Sequence, residues 1–169
     1  MRQARCGPSS SSRPAPALPL VHAAAERVEQ GVQVGADPQP EQGDVVAGVG
    51  HDGQLVGTGS LSIGDAMGQV HDGDGTWSRA QGSLGYTIDP AHAGRGHGAH
   101  LARGLLSIAF DELGLHRVTA GCFADNTPSW RVMERIGMRR EQHGVKDSWH
   151  AELGWVDGYT YGILREEWP

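Results

Sequence analysis

The run Gly94-Arg95-Gly96-His97-Gly98-Ala99 is the pattern in this chain most able to do chemistry. Glycines alternate there with an arginine and a histidine, where a loop runs into an amphipathic helix. The first turn of a helix presents backbone N–H groups with no intrahelical partner, and the macrodipole makes that end positive. Glycines remove Cβ atoms and let a phosphate approach the backbone. Arg95 adds a fork of charged donors. The run therefore proposes a pyrophosphate cradle. The same residues also fit a plain glycine-rich turn that starts a helix.

Other phosphate loops fit less well. A P-loop ends in Gly-Lys-Ser/Thr, whereas Gly98 is followed by Ala99-His100. Gly94, Gly96 and Ala99 match the dinucleotide fingerprint, and Asp125 after the next strand offers the ribose-binding acid. However, the loop follows a hairpin meander rather than the first strand, and little chain remains for further parallel units. His92, His97 and His100 invite a metal reading, but no Cys, Asp or Glu completes a recognised ligand pattern, so no metal is expected. Cys6 and Cys122 form no framework, and Cys122 reads as a small buried residue.

Composition bounds the class. At 169 residues one domain is the default. Hydrophobic residues reach only 38% beside 26 glycines, so part of the chain is expected to stay outside the core. A net charge of −6 argues against general nucleic-acid binding. No apolar run is long enough for a membrane span. Ala15–Ala25 faintly resembles a signal peptide, but its prolines and short apolar core argue against one. A cytoplasmic protein is expected.

Certain elements must position the loop. Residues 1–19 are rich in Ser, Pro and Arg without an apolar period and are expected to be irregular or disordered; residues 20–169 form one domain. Val21–Gln30 reads as a short helix and Gly35–Gly43 as a loop. Asp44–Val49 and Gln54–Ile63 read as strands joined by the turn His51-Asp52-Gly53. Gly64–Gln81 reads as a long mobile loop, and Ser83–Asp89 as a third strand ended by Pro90. Leu101, Leu105, Ala109 and Leu113, widened by Leu106 and Phe110, give a helix from about Gly96 to Leu113, closed by Gly114. Arg117–Cys122 is a strand. Thr127 reads as an N-cap, followed by Pro128 at the first position of a second helix that stops at Gly137. Met138–Gln142 and Val156–Leu164 are the last strands. The fold class is α/β with one mixed sheet.

From about Asp44 to Trp168 the chain resembles the GNAT acyltransferases, in particular the RimJ/RimL-like branch, the ribosomal-protein-alanine N-acetyltransferase type. One motif is Gly85-Tyr86-Thr87-Ile88-Asp89-Pro90 running into the glycine loop. The other is Asn126 to Met138, NTPSWRVMERIGM, similar to the family's N-x-x-S-x-x-V-x-E-x-x-G-F helix. FDELGLHRV (Phe110–Val118), Trp155-Val156-Asp157 and YGILREEW also resemble this branch. The resemblance implies the GNAT acyl-CoA N-acyltransferase fold, acetyl-CoA as cosubstrate, and a primary amine acceptor: a protein N-terminal α-amine or a small-molecule amine. A homodimer is left open.

It also implies roles. The backbone of Arg95, Gly96, His97, Gly98 and Ala99 would hold the CoA pyrophosphate. The strands 83–89 and 117–122 would splay, so that Tyr86, Thr87 and Ile88 pair with the pantetheine arm. Asn126 would face the cofactor, beside its ordinary role as a helix cap. Ser129 would touch the cofactor and protonate the leaving thiolate, beside its ordinary role of bonding its own helix. Asp157 reads as structural. Many relatives carry a glutamate where this chain has Ser83, so Asp147 or Glu141 is the candidate general base, with a water chain as substitute.

The family's opening strand and helix pair are not recognisable. The domain is therefore expected to be N-terminally incomplete, missing its first strand and first helix, with apolar sheet surface exposed and association favoured. Two alternatives stand beside the N-acetyltransferase: a non-catalytic CoA-binding module and, more weakly, a dinucleotide-binding domain.

Overall fold

The computed structural model describes residues 32–36 (backbone), 45–68, 75 and 78–169. The segments 1–19 and Val21–Gln30, and part of the loop 64–81, lie outside them. The strands are β1 (Val32–Ala36), β2 (Val45–His51), β3 (Gln54–Gly64), β4 (Gln81–Ile88), β5 (Arg117–Phe123), β6 (Arg139–His150) and β7 (Gly154–Leu164). They form one seven-stranded sheet in the order β1-β2-β3-β4-β5-β7-β6. Only β4 and β5 pair in parallel; every other neighbouring pair is antiparallel.

The two α-helices among the described residues are α1 (His97–Ser107) and α2 (Thr127–Arg135). Leu101, Ala102, Leu105 and Leu106 of α1 are buried, as four-residue spacing requires. The helix runs on as a π-turn, Ile108–Glu112, and buries Ala109 and Phe110 before Gly114 ends it at φ 66°. Gly59 lets α1 lie close to the sheet: a Cβ there would stand 2.8 Å from Leu105 Cδ1 and 3.0 Å from the Gly85 carbonyl oxygen.

Alternation divides the sheet into two faces. Leu84 on β4, Val118 and Ala120 on β5 and Tyr161 and Ile163 on β7 are buried in the core, with half-buried Tyr86, Ile88 and Tyr159 packed against it. The buried Tyr161 hydroxyl donates to Glu134 of α2 at 3.1 Å, and burial with that carboxylate pushes its pKa up to about 12. Thr58, Ser62, Ser83, Gly85, Thr87 and Gly121 lie exposed on the opposite face.

Two expectations are corrected. A strand does precede the meander: β1 pairs with β2 from Val32↔Val49 to Ala36↔Val45, leaving residues 37–44 to connect them. Its short, glycine-broken alternation hid it from sequence reading. Moreover, the open face of β3 and β4 is serine, threonine and glycine rather than apolar. The large exposed apolar residues among those described are Leu55, Met67, Val145, Trp149, Leu153 and Trp155. Val145, Trp149, Leu153 and Trp155 belong to the β6–β7 hairpin, which is longer than its sequence pattern suggested. β6 ends the sheet order and carries mostly charged and polar residues, so no buried face marks its period. The loop 64–81 is tied across its ends, because the Asp65 carboxylate accepts from the Arg79 amide at 2.7 Å and the Ser78 hydroxyl at 3.1 Å.

Candidate active site

The parallel pairing of β4 and β5 runs from Gln81↔Arg117 to Leu84↔Ala120 and stops. Beyond it, Gly85–Ile88 pair only with β3 and Gly121–Phe123 only with β7, so the strands fork. The Asp89 amide donates to the Val56 carbonyl at 2.8 Å, which sets the phase of the β3–β4 ladder. Backbone groups alternate sides along a strand, so those of Asp89, Thr87 and Gly85 point to β3. Those of Tyr86 and Ile88 point into the fork, which is the splay that the family resemblance implies. Thr87 turns its side chain to the open face.

The glycine loop ends beside the fork. Asp89 opens the short turn Pro90–His92 by accepting from the Ala91 amide at 2.9 Å. Gly94 and Gly96 then take φ values of 75° and 89°, which L side chains resist, and space is open where a Cβ would stand on either. Gly96 is the N-cap of α1 and supplies no side-chain cap. The first-turn amides of His97, Gly98 and Ala99 are thus left for another acceptor. Gly98 is different: it is buried, and a Cβ there would meet Val132 Cγ2 at 3.5 Å, Ile88 Cγ1 at 3.6 Å and the Tyr86 ring at 3.9 Å. Arg95 is exposed at the loop.

His97 turns into a cluster the sequence did not reveal. Its ring centroid lies 5.2 Å from His51 and 6.4 Å from His92, and those two are 5.9 Å apart. The sequence grouped His92, His97 and His100; the β2–β3 turn brings in His51, which no local spacing signals. Desolvation, then the neighbouring His51 and His92, holds the His97 imidazole below its ordinary pKa. Among the described residues no group of three His, Cys, Asp or Glu side chains is arranged to hold a metal ion.

At the other side of the fork, Asn126 caps α2 by accepting from the Ser129 amide at 3.2 Å. The Ser129 hydroxyl is 3.2 Å from the Tyr86 phenol, which donates to the Ser129 carbonyl at 2.9 Å. The thiol of Cys122 on β5 lies beside the same serine, and burial pushes it up, which makes it a poor nucleophile. Sequence reasoning counted Tyr86 as a backbone contact and missed its phenol.

The carboxylates separate sharply. Glu141 is ion-paired to Arg117 and lies 3.0 Å from Arg139, and the Arg117 hydrogen bond holds its carboxyl below the usual range. Arg117 opens β5 at the end away from the fork, and the three to four strand steps to the opening beyond Ala120, at about 3.3 Å each, put roughly 10–13 Å between them. In this structure Glu141 is thus a sheet ion pair at the unforked end, which counts against its reading as a candidate base. Asp147 sits in the bulge between Gly144↔Gly158 and Ser148↔Val156, and Gly158 pairs with Phe123 at the forked end. Its carboxylate lies over Gly144 and Gly158, on the face away from Tyr159, and accepts from the Ser148 hydroxyl at 2.9 Å. Asp157 ties the bulge: it accepts from the Lys146 amide at 3.0 Å and meets His143 Nε2 at 2.8 Å. Those bonds, the Lys146 amide first, hold its carboxyl low.

A mixed sheet forked at its parallel pair, with an uncapped helix N-terminus beside the fork, is the architecture of the GNAT acyltransferases. The chain belongs to the acetyltransferase (GNAT) domain family, which matches residues 23–139. It is 40% identical over 85 residues to the uncharacterized N-acetyltransferase YnaD of Bacillus subtilis, covering 50% of this chain and 49% of that one. It is 32% identical over 124 residues to the putative ribosomal N-acetyltransferase YdaF of the same organism, covering 73% and 61%. It thus spans about half the length of curated relatives such as YnaD. A GNAT-family acetyltransferase structure from Bacillus anthracis matches at TM-score 0.56 and 33% identity, over 73% of this chain and 67% of that one. Mycobacterium smegmatis RimJ, solved with CoA-disulfide, matches at TM-score 0.59 and 25% identity, over 75% and 55%. No helix among the described residues is long and apolar enough to cross a membrane.

Proposed function

We propose that the chain is an acetyl-CoA-dependent N-acetyltransferase acting on a primary amine, with a protein α-amine as the acceptor class. The observation that carries this is the fork, with donors converging on it from three elements. The uncapped amides of His97–Ala99, the open space beside Gly94 and Gly96 and the charge of Arg95 fit a diphosphate. The Tyr86 and Ile88 backbone groups suit the pantetheine amides and can polarise the thioester carbonyl. Acetyl-CoA supplies the acetyl group and a thiol leaving group.

This chain's residues divide the remaining work between the two faces. Ser129, on the helix side, is the donor to the departing sulfur. Asp147, beside the forked end on the open face, is the carboxylate placed to take a proton from an incoming ammonium. Asn126 fixes the start of α2, and hence Ser129. Holding the amine against the thioester carbonyl at the fork lowers the barrier further, because the cost of bringing the two together is met on binding.

The experiment mixes the chain with acetyl-CoA and a panel of amine-ended peptides and small amines, and follows free CoA. Amine-stimulated release is expected, and Ser129→Ala should lower kcat and kcat/KM together by roughly 10²-fold, the scale of a lost proton donor. Absence of stimulated release across the panel would sink the proposal. A second reading, a CoA-binding module without turnover, is favoured by Ser83 standing where many relatives carry the glutamate. It predicts CoA binding in calorimetry with no release. The antiparallel meander ahead of the loop disfavours a dinucleotide site.

A further inference from the structure

We infer that the Tyr86 phenol is a positioning residue for thiolate departure, holding the Ser129 hydroxyl at the fork. The inference rests on the acetyltransferase reading above and adds a residue that acts through Ser129.

A serine in the first turn of a helix ordinarily spends its hydroxyl on its own backbone. Here the N-cap amide such a hydroxyl would meet is engaged elsewhere, since the Asn126 amide donates to the Phe123 carbonyl at 3.0 Å. The Ser129 amide is within hydrogen-bond distance of both the Asn126 side chain, at 3.2 Å, and the Asn126 carbonyl, at 3.0 Å. The Ser129 hydroxyl turns sideways instead, to Tyr86 at 3.2 Å, with the Cys122 thiol beside it. Three elements meet at this one oxygen: β4 through Tyr86, β5 through Cys122 and α2 through Ser129. They meet where β4 and β5 part, so the side chains bridge the gap that the backbones leave.

The tyrosine is fixed at both ends. Its ring packs against the core beside Gly98 of α1, where an added Cβ would come within 3.9 Å of it, and its hydroxyl reaches Ser129. One rigid side chain therefore links the helix end that would hold the diphosphate to the serine that would meet the sulfur. Burial keeps the phenol protonated above its ordinary range, so it works as a donor and not as a phenolate.

A phenol has one proton and here has two acceptors. In this structure the proton goes to the Ser129 carbonyl at 2.9 Å, which leaves the serine proton to point at the phenol oxygen. When the C–S bond breaks, its electron pair goes to sulfur, and the Ser129 hydroxyl turns from the phenol oxygen to that sulfur and gives it the proton to form the thiol. Negative charge develops on the serine oxygen. A rotation of the Tyr86 hydroxyl then redirects its proton from the carbonyl to that oxygen. The incoming ammonium gives up two protons on its way to the amide and sulfur takes one through Ser129, so one proton is released to solvent by way of Asp147 and the count balances once Ser129 is reprotonated from solvent.

Tyr86→Phe removes the hydroxyl and keeps the ring against Gly98. We expect kcat to fall about 10-fold, with the Kd for CoA and the KM for acetyl-CoA within twofold, and an unchanged melting temperature. In a Ser129→Ala background the same change should cost less than twofold, because the group it positions is gone. A merely structural tyrosine would weaken CoA binding or the fold, and would do so in both backgrounds. Unchanged kcat in Tyr86→Phe overturns the inference while the acetyltransferase reading stands. So does a 10-fold further loss in the Ser129→Ala background. Full activity of Ser129→Ala overturns it too, by removing the group it acts through. A wild-type chain without amine-stimulated CoA release takes down the acetyltransferase reading, and the inference with it.

Discussion

The glycines of the loop separate by orientation, and this can be measured with two alanines. Gly98 has ordinary helical backbone, and a methyl group there would sit in van der Waals contact with Val132, Ile88 and Tyr86, at 3.5 to 3.9 Å. Replacing glycine by alanine in a helix is worth up to about 1 kcal/mol, somewhat less in the first turn. Gly98→Ala should therefore raise stability by roughly 0.5–1 kcal/mol, or about 1–4 °C in melting temperature for a domain of this size. The methyl points into the core and not at the loop's outer surface, so CoA affinity should stay within twofold. Gly96 is the opposite case. Its Cβ would meet no atom, but φ is 89°, and left-handed backbone costs an L residue about 1–2 kcal/mol. Gly96→Ala should melt about 2–8 °C lower, or relax the loop and weaken CoA binding. Thermal melts with calorimetric CoA titration read both quantities. A folded Gly98→Ala chain that binds CoA 10-fold more weakly would refute the orientation argument. Gly98→Asp is a poor probe of the diphosphate, since it would bury a carboxylate among apolar groups.

Two more expectations concern the carboxylates. Glu141→Gln should leave kcat within twofold and lower stability by about 1 kcal/mol or less, since its Arg117 and Arg139 pairs lie at the unforked end and near the surface; a collapse of kcat in a folded variant would return it to the site. Asp157, Glu141 and Glu167 all hold their protons more weakly folded than unfolded, through the Lys146 amide, Arg117 and the Leu164 amide respectively. Each stabilises the fold above its unfolded value, 3.8 for Asp and 4.5 for Glu, and that contribution is lost as pH falls through the lower folded value. Melting temperature should thus drop below about pH 4, and Asp157→Asn should flatten part of the slope; a flat profile down to pH 3 would contradict the assigned partners.

Local chemistry made most of the fold legible in the chain. The four-residue apolar steps of α1, the alternation of β5 and β7, Thr127-Pro128 after a capping Asn126, and the glycines before His97 each declare their element through a nearest-neighbour rule. The positive φ of Gly94 and Gly96 belongs to that class, because only glycine adopts it freely. The same holds for the ordered pair of motifs that marks the family.

Other features follow from strands brought together across long stretches of sequence. β1 is short and broken by Gly35, and becomes a strand by pairing with β2. β6 lies at the sheet's end and buries little, so nothing periodic announced its length. Glu141 and Asp147 stand six residues apart and look equivalent in sequence. Register puts one over Gly162 at the unforked end and the other over Gly158 at the fork. Likewise Tyr86 and Ser129 are 43 positions apart, and only the end of β4–β5 pairing brings phenol and hydroxyl within 3.2 Å. A propensity acts within one turn or one strand, whereas a hydrogen bond across a fork exists only after the sheet has set which strands part and where.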